Sequence, residues 1–424
     1  MKNTLFLILG TGQNVLRSID SRNYRRTKYY LPSSKSDEYV ESPFVGEAII
    51  KLSPKKFQEV HIFGTSSSMW ETLFVHTIPE ETDKEHLLKE FSLIWKSVED
   101  SSIGEKPEVI EALNRRLTDY FEIPTYCHII EIGENVEQLW SIFNKILHLD
   151  IKSSTVSFDI THGLRYQPFF FLFSLFYFNA ITNGKVKLGS IYYGALELMN
   201  DPKHNGRAPI FEFNLFTELN KWVTAAEVLR KYKDPEQIAQ LLKRYKSTEE
   251  LSKLIEDFSS AFSVNSFTKI IELSKEISQK IDAVKEPPKP FLYVKPIIKE
   301  FADEINNGKT NVEKILKVAR QQQRNHNYSL AVIAAYEAVI EAFCTQKKIK
   351  DKVEANEKLS KLLEKNDDLL VEPINNFKEK LIELKKIRNN IAHLDRKGKF
   401  ELNKDSIRNL VNFFHDNLLN AKFR

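Results

Sequence analysis

Several short runs of apolar residues in the first half of the chain constrain its fold more than any other feature. Each run is long enough for one strand, and little polar alternation interrupts it, so both faces of the strand must be covered. Such strands are typical of a mostly parallel sheet flanked by helices. The sequence therefore predicts a doubly wound α/β fold. The clearest strands are residues 4–9, 59–63, 126–132 and 155–160, and later strands are expected over 186–193 and 210–216.

From about Thr217 the pattern changes to helices alone. Apolar residues recur every three or four positions, and lysine and glutamate lie between them. A proline cluster over 286–290, with Pro296 close behind, interrupts this helical half. We therefore expect an α/β domain over 1–216, a helical linker over 217–290 and a helical bundle over 291–424. The predicted helices include 222–232, 235–245, 248–258, 267–284, 328–343 and 377–394.

Composition limits the classes of partner and compartment. The 62 basic and 58 acidic residues nearly balance, so any nucleic-acid site must be local. Only Cys127 and Cys344 are present, which excludes a disulfide framework and a cysteine-rich zinc site and favours a reducing, cytoplasmic location. The densest apolar run, 169–178, is shorter than the roughly 20 residues that a membrane crossing needs. We expect no membrane span.

Polar loops follow three of the predicted strands, where open parallel sheets bind ligands. The first loop, Gly10-Thr11-Gly12-Gln13, lacks the third glycine of a dinucleotide fingerprint, because Val15 stands in that place. No lysine–serine pair follows it to form a nucleotide P-loop. Both absences argue against a nicotinamide or ATP site there.

The other two loops are rich in groups that bind anions. Residues 64–68 provide a glycine and four hydroxyls as donors for phosphate or ribose oxygens, although an ordinary serine-rich turn fits equally well. Thr161-His162-Gly163-Leu164-Arg165 lies between a buried strand and an apolar helix. Its threonine, histidine, backbone amides and guanidinium could meet an anion at the helix N-terminus. The alternative is a capped helix start.

The predicted helix 377–394 carries an arginine and a histidine with a gap of four residues between them. At about 100° per residue, His393 falls opposite the apolar stripe, Asn389 lies one turn before it, and Arg388 emerges at the edge of the stripe. Two other stretches have similar spacing: Arg320 to His326 and Arg408 to His415. We prefer the first pair, because His415 is expected to pack beside two phenylalanines and His326 lies between helices.

These motifs together suggest a family. The stretch Asp159-Ile160-Thr161-His162-Gly163-Leu164-Arg165 resembles the CARF sensor domain of CRISPR-associated ancillary proteins, and the loops at Gly10 and Gly64 lie where such domains contact ligand. The stretch Arg388-Asn389-Asn390-Ile391-Ala392-His393 resembles the motif of HEPN ribonucleases. In this order, the two resemble the type III CRISPR ancillary ribonucleases across nearly the whole chain.

The resemblance implies a homodimer, or a larger homo-oligomer, that binds a cyclic oligoadenylate across two sensor domains. This allosteric activator, with no metal or other cofactor, would switch on cleavage of single-stranded RNA by the paired HEPN domains. Histidine suits the proton transfers and arginine suits the phosphate charge, with Asn389 orienting the phosphate or His393. The residues expected at the ligand are Thr11, Gly12, Gln13, Thr65, Ser66, Ser67, Ser68, Thr161, His162, Gly163 and Arg165, and those expected at the cleavage site are Arg388, Asn389 and His393.

A second function stays open at this point. Sensor domains of this kind also occur with helix-turn-helix modules, and the helices over 222–258 are basic enough to bind DNA. The protein would then be a ligand-responsive transcriptional regulator, and Arg388 and His393 would have no catalytic role.

Overall fold

The computed structural model of the chain describes residues 1–11, 26–33, 38–78, 84–151, 154–364, 369–392 and 403–424, without the side chains of 84–88 and 392. The chain divides into two compact units, Met1–Glu218 and Leu219–Arg424. The first unit contains the sheet, and the second is helical.

The sheet of the first unit has eight strands in the order β3-β2-β8-β7-β6-β1-β4-β5. Neighbouring strands are parallel from β5 through β4, β1 and β6 to β7. Strand β8 runs antiparallel to β7 and parallel to β2, and β3 runs antiparallel to β2. The expected mostly parallel arrangement is confirmed, although the sheet as a whole is mixed because β3 and β8 each have an antiparallel neighbour. The strands are β1 (Lys2–Leu9), β2 (Thr27–Tyr30), β3 (Val40–Ser42), β4 (Glu59–Gly64), β5 (Thr125–Ile129), β6 (Ser154–Asp159), β7 (Lys187–Gly194) and β8 (Ala208–Glu212).

Apolar cores cover both faces of this sheet, as its uninterrupted apolar strands require. In β1, Leu5 and Leu7 point into one core, whereas Phe6 and Ile8 point into the other. The first core also contains residues of α1, α2, α3 and α4, and the second contains residues of α5 and α6. These helices are α1 (Val45–Leu52), α2 (Trp70–His76), α3 (Lys84–Glu99), α4 (Pro107–Phe121), α5 (Val136–Leu147) and α6 (Gln167–Ile181).

The structure differs from the predicted strands in three places. The strand predicted over 126–132 ends at Ile129. Strands β2 and β3 were not predicted, because strands of four and three residues are too short to show a periodic pattern. The predicted strand 210–216 ends at Glu212, and a helix begins at Asn214. The aromatic residues Phe213 and Phe216 suit either structure, so composition alone did not place this boundary.

The second unit consists of helices around two apolar cores. One core involves residues from Trp222 to Ile305 together with Val318, and the other involves residues from Val312 to Phe423. The division of this half into a linker and a bundle stays a prediction. The helices are α7 (Asn214–Tyr232), which contains the boundary between the units, α8 (Glu236–Leu242), α9 (Glu249–Ser263), α10 (Phe267–Lys280), α11 (Phe291–Asn306), α12 (Asn311–Arg324), α13 (Tyr328–Lys347), α14 (Lys352–Glu364), α15 (Phe377–Ala392) and α16 (Lys404–Asn417).

Two helices of this unit need comment. Helix α11 continues through Pro296, which the sequence suggested as a breaker. The carbonyl that loses its donor there belongs to Leu292, a half-exposed residue in the first turn, so water can satisfy it. Helix α13 is the one helix of the described ranges that is long and apolar enough to cross a membrane, but 67% of that stretch is buried within the protein.

Candidate functional site

The loops after β1 and β4 are tied together at the carboxyl edge of the sheet. Leu9 and Gly64 are register partners at the ends of these strands. The backbone N–H of Met69 donates to the Gly10 carbonyl at 3.1 Å, and the Ser68 hydroxyl donates to the Leu9 carbonyl at 2.8 Å. Hydrogen bonds therefore join the two predicted ligand loops side by side.

Within the loop after β4, the hydroxyls have different roles. Ser68 is buried, and its oxygen also accepts from the Thr65 N–H at 2.9 Å. The Trp70 indole N–H donates to the Thr65 carbonyl at 2.9 Å, which closes the turn. Ser66 and Ser67 are half-buried. Ser68 thus maintains the shape of the loop, while Ser66 and Ser67 are the serines that a ligand could reach.

The loop after β6 is organised by a buried carboxyl group. Asp159 is 1% exposed, and its Oδ1 accepts from the Thr161 N–H at 3.0 Å and the Thr161 hydroxyl at 2.5 Å. The same hydroxyl accepts from the Gly194 N–H at 2.8 Å, which connects the loop to the end of β7. Burial raises the pKa of Asp159 to about 7, although the hydrogen bonds from Thr161 act in the opposite direction. The Thr161 hydroxyl is therefore engaged in the fold.

Gly163, in the same loop, lies beside β1. Gly163 has a φ of +94°, and a Cβ atom there would lie 2.5 Å from Cγ2 of Ile8. Burial lowers the pKa of His162 to about 4, so its imidazole is neutral at pH 7. Arg165 is exposed, and no ion pair joins it to any residue that the structure describes. Its guanidinium is thus available to an anion.

The structure brings most of the predicted ligand residues to one edge of the sheet. Thr11 is exposed directly beyond β1, while Gly12 and Gln13 lie outside the described residues. Sequence reasoning named Asp159 only as part of the CARF-like stretch and assigned no role to Asp159 or Trp70, which shape the loops without facing solvent. Each stands at a strand end or helix start beside a predicted loop residue, which is the one local signal that they carry.

The arginine expected at the cleavage site lies on α15. The predicted apolar stripe is confirmed, because Leu381 and Leu384 are fully buried. The Arg388 guanidinium is half-buried, lies 5.6 Å from the ring centroid of Tyr336 and donates to Asn389 Oδ1 at 3.1 Å. Within the described part of the chain, no carboxylate is within ion-pair distance of Arg388. A guanidinium supported by an aromatic ring and lacking a carboxylate suits an anionic ligand.

Two neighbours of Arg388 were not predicted. The Tyr336 hydroxyl donates to Asn356 Oδ1 at 2.6 Å, and burial raises the pKa of Tyr336 to about 12. One turn before Arg388, Lys385 Nζ donates to the Ser360 hydroxyl at 2.6 Å, and it too has no carboxylate partner among the described residues. The sequence signal for Tyr336 was the presence of a tyrosine within the alanine-rich helix α13.

His393 lies outside the described residues. Its pairing with Arg388 therefore stays a prediction, and so does the catalytic role of Asn389.

Comparison with known families supports the interpretation of the first unit. Residues 5–197 match the family model of the CRISPR system endoribonuclease Csx1, CARF domain. Residues 218–317 match that of the CRISPR-associated protein MJ1674, second domain. The chain belongs to the type III CRISPR ancillary proteins that carry a CARF domain. It is thus a CRISPR-associated ligand-sensing protein. No curated protein matches the chain.

All three loops at the carboxyl edge lie within the CARF domain. Among solved structures, Enterococcus italicus Csm6 bound to cyclic hexa-2'-fluoro-hexa-dAMP is a neighbour with 13% sequence identity and a TM-score of 0.40, and the alignment covers 99% of this chain and 94% of that chain.

Proposed function

We propose that this CARF protein is an endoribonuclease that cleaves single-stranded RNA without a metal ion and is activated by a cyclic oligoadenylate. The observation that carries the proposal is the match of residues 5–197 to the CARF domain of an endoribonuclease. The Arg388 guanidinium in the second unit, which has no carboxylate partner among the described residues, supports it. The sensor would bind the messenger, and the helical unit would cleave RNA.

The carboxyl edge of the CARF sheet has the chemistry that a cyclic oligoadenylate requires. The phosphates of such a ring are anionic, and the exposed Arg165 offers them a planar fork of donors. The hydroxyls of Thr11, Ser66 and Ser67 can donate to phosphate or ribose oxygens. His162, neutral at pH 7, would act as a hydrogen-bonding group for the ring rather than as a cation.

An exposed aromatic face supports the homodimer. Phe169 and Phe173 of α6 are each 67% exposed, and Tyr177 and Ile181 continue the same face at intervals of four residues. Trp140 of α5 extends it through Phe143, whose ring lies 5.3 Å from those of both Trp140 and Tyr177. Monomeric proteins rarely expose so many aromatic side chains together. We infer that a second copy of the chain covers this face.

The position of this aromatic face suits a shared ligand. Helix α6 begins at Gln167, directly after the loop that carries His162 and Arg165. A two-fold axis through the aromatic face would therefore bring both copies of that loop near the axis. A ring-shaped ligand on the axis would contact both.

The cleavage chemistry needs two proton transfers, one from the attacking 2′-hydroxyl and one to the departing 5′-oxygen. The 2′-oxygen of the ribose forms a bond to phosphorus as its proton is accepted, and the bond to the 5′-oxygen breaks as that oxygen receives a proton. We assign the proton transfers to His393 and charge neutralisation on the phosphate to Arg388, which Asn389 holds. A dimer supplies two histidines, one for each transfer.

The test uses labelled single-stranded RNA, a chelator and each cyclic oligoadenylate in turn. We expect the wild-type protein to cleave RNA faster with one ring size. We expect His393→Ala and Arg388→Ala to lower the rate at least about 100-fold, because each removes a proton-transfer or charge-stabilising group. Both variants should still bind the messenger, and Arg230→Ala, which changes an exposed arginine of α7, should cleave normally.

Full cleavage by both variants would refute the assigned site. Equal rates with and without every ring size would refute activation. The DNA-binding alternative is not favoured, because residues 5–197 match the CARF domain of an endoribonuclease.

A further inference from the structure

The two other arginine–histidine stretches of the sequence lie together in the fold. The arginine of each stretch is near the histidine of the other, directly in one case and through a tyrosine in the other. Nη1 of Arg320 on α12 lies 3.4 Å from both ring nitrogens of His415 on α16. The Arg408 guanidinium on α16 lies 5.8 Å from the ring centroid of Tyr328. The hydroxyl of that tyrosine lies 3.0 Å from Nδ1 of His326. We call Arg320, His326, Arg408 and His415 the second basic cluster.

Both guanidinium groups of the second basic cluster keep donors available. Arg320 has no carboxylate within ion-pair distance among the residues that the structure describes. The partner of Arg408 is Asp405 at 3.7 Å, whose side chain is 85% exposed, so water screens the pair. Asp416 contacts His415 at 3.0 Å and is also largely exposed. Each arginine thus lies against an aromatic ring, His415 for Arg320 and Tyr328 for Arg408, and nearby carboxylates neutralise its charge only weakly.

Helix α13 connects this cluster to the proposed cleavage site. Arg408 packs on Tyr328, and Arg388 packs on Tyr336. Eight residues of helix separate the two tyrosines, which corresponds to about 12 Å along the axis and a rotation of about 80°. The two arginines therefore lie on neighbouring sides of one helix, within the span of a few linked nucleotides.

We propose that the second basic cluster binds the phosphate backbone of single-stranded RNA next to the phosphate held at Arg388. This inference rests on the proposed function and locates part of its substrate path. The planar guanidinium matches phosphate oxygens, and such contacts recognise RNA regardless of its sequence. Their contribution to binding falls as salt rises, because each contact releases counterions.

The experiment measures binding separately from cleavage. A fluorescent single-stranded 2′-O-methyl RNA, which lacks the nucleophilic hydroxyl, is titrated with the full-length protein at several salt concentrations. The variants are Arg320→Gln and Arg408→Gln, and Arg230→Gln is the control with the same charge change. Glutamine keeps much of the side-chain length and suits a helix.

We expect each cluster variant to weaken RNA binding roughly fivefold, an amount typical of one partly exposed charged contact. The slope of log K against log salt should fall by about 0.7 per lost contact. The Arg230→Gln control should change neither quantity. Arg408→Lys keeps the charge without the fork and should restore the slope, a result that a purely structural role would not produce.

Wild-type affinity and slope in Arg320→Gln and Arg408→Gln would overturn this inference, even if the protein cleaves RNA at Arg388. A wild-type protein that neither binds the methylated RNA nor cleaves natural RNA would overturn the proposed function itself. The two failures are therefore distinguishable.

Discussion

Asp159 shows how one buried group couples the ligand edge to pH. Its pKa of about 7 lies well above the ordinary value of 3.8, because burial disfavours the carboxylate. The folded chain therefore retains a proton that the unfolded chain releases at about pH 4. The contribution of Asp159 to the free energy of unfolding must therefore fall as pH rises from about 4 to 7. Above about pH 7 this contribution no longer changes.

Asp159→Asn should remove this pH dependence, since the amide oxygen can still accept from Thr161. Between pH 5 and 7, we expect the wild-type protein to lose up to about 1.4 kcal/mol of unfolding free energy per pH unit relative to the variant. Denaturant unfolding at pH 5, 6, 7 and 8 measures the difference. Asp119→Asn, an exposed position of α4, is the control. Parallel pH curves for wild type and Asp159→Asn would contradict the assignment.

At the scale of elements, the connection from β6 to α6 depends on a close approach to β1. Gly163 adopts a left-handed φ where the loop passes Ile8. Its lack of a side chain also leaves room for Oε1 of Gln167, which would lie 2.8 Å from a Cβ atom at this position. That oxygen accepts from the Leu164 N–H at 2.9 Å, which organises the start of α6. The loop, strand and helix therefore form one packed unit.

Gly163→Ala should consequently damage both stability and messenger binding. The left-handed backbone alone costs an alanine about 1–2 kcal/mol, and the overlap with Ile8 adds to this cost. Gly184→Ala is a matched control, since Gly184 has a φ of +71° but nothing within 4 Å of an added Cβ. We expect a lower unfolding free energy and weaker cyclic oligoadenylate binding for Gly163→Ala than for Gly184→Ala. Equal losses would contradict a tight contact with β1.

At the scale of the whole molecule, the aromatic face of α5 and α6 is the surface through which, in the proposed dimer, two sensors would share one ligand. Each large aromatic side chain buries about 150–250 Å². The exposed members of this face could therefore contribute several hundred Å² per subunit, a substantial part of the roughly 800 Å² that a stable interface buries on each partner. The face is thus large enough to drive association.

Phe173→Arg should disrupt the dimer, because it would bury an unpaired charge at the centre of this face. Sedimentation velocity should show a monomer at micromolar concentration, and messenger-activated RNA cleavage should fall in parallel. Tyr293→Arg is the control, since Tyr293 is 81% exposed on α11. A Phe173→Arg protein that remains dimeric would exclude this face as the interface.

The sequence alone determined the longer strands of the sheet and the change to a helical second half, because apolar periodicity is a local property. It predicted the apolar strand β1 and the buried stripe of α15 with Arg388 at its edge. It also indicated that the loops beyond β1, β4 and β6 share one edge, since parallel strands end on the same side. The short strands β2 and β3 were beyond its reach.

Only the tertiary structure decided what individual polar groups do. Ser68 and Thr161 were predicted as ligand residues from their hydroxyls, and only the structure shows that these hydroxyls also hold strand ends together. Arg320 meets His415 across 95 residues of sequence, and no local pattern encodes such a contact. The pKa of Asp159 likewise depends on burial by distant segments. Side-chain roles depend on long-range packing, whereas helices and strands follow from the spacing of neighbouring residues.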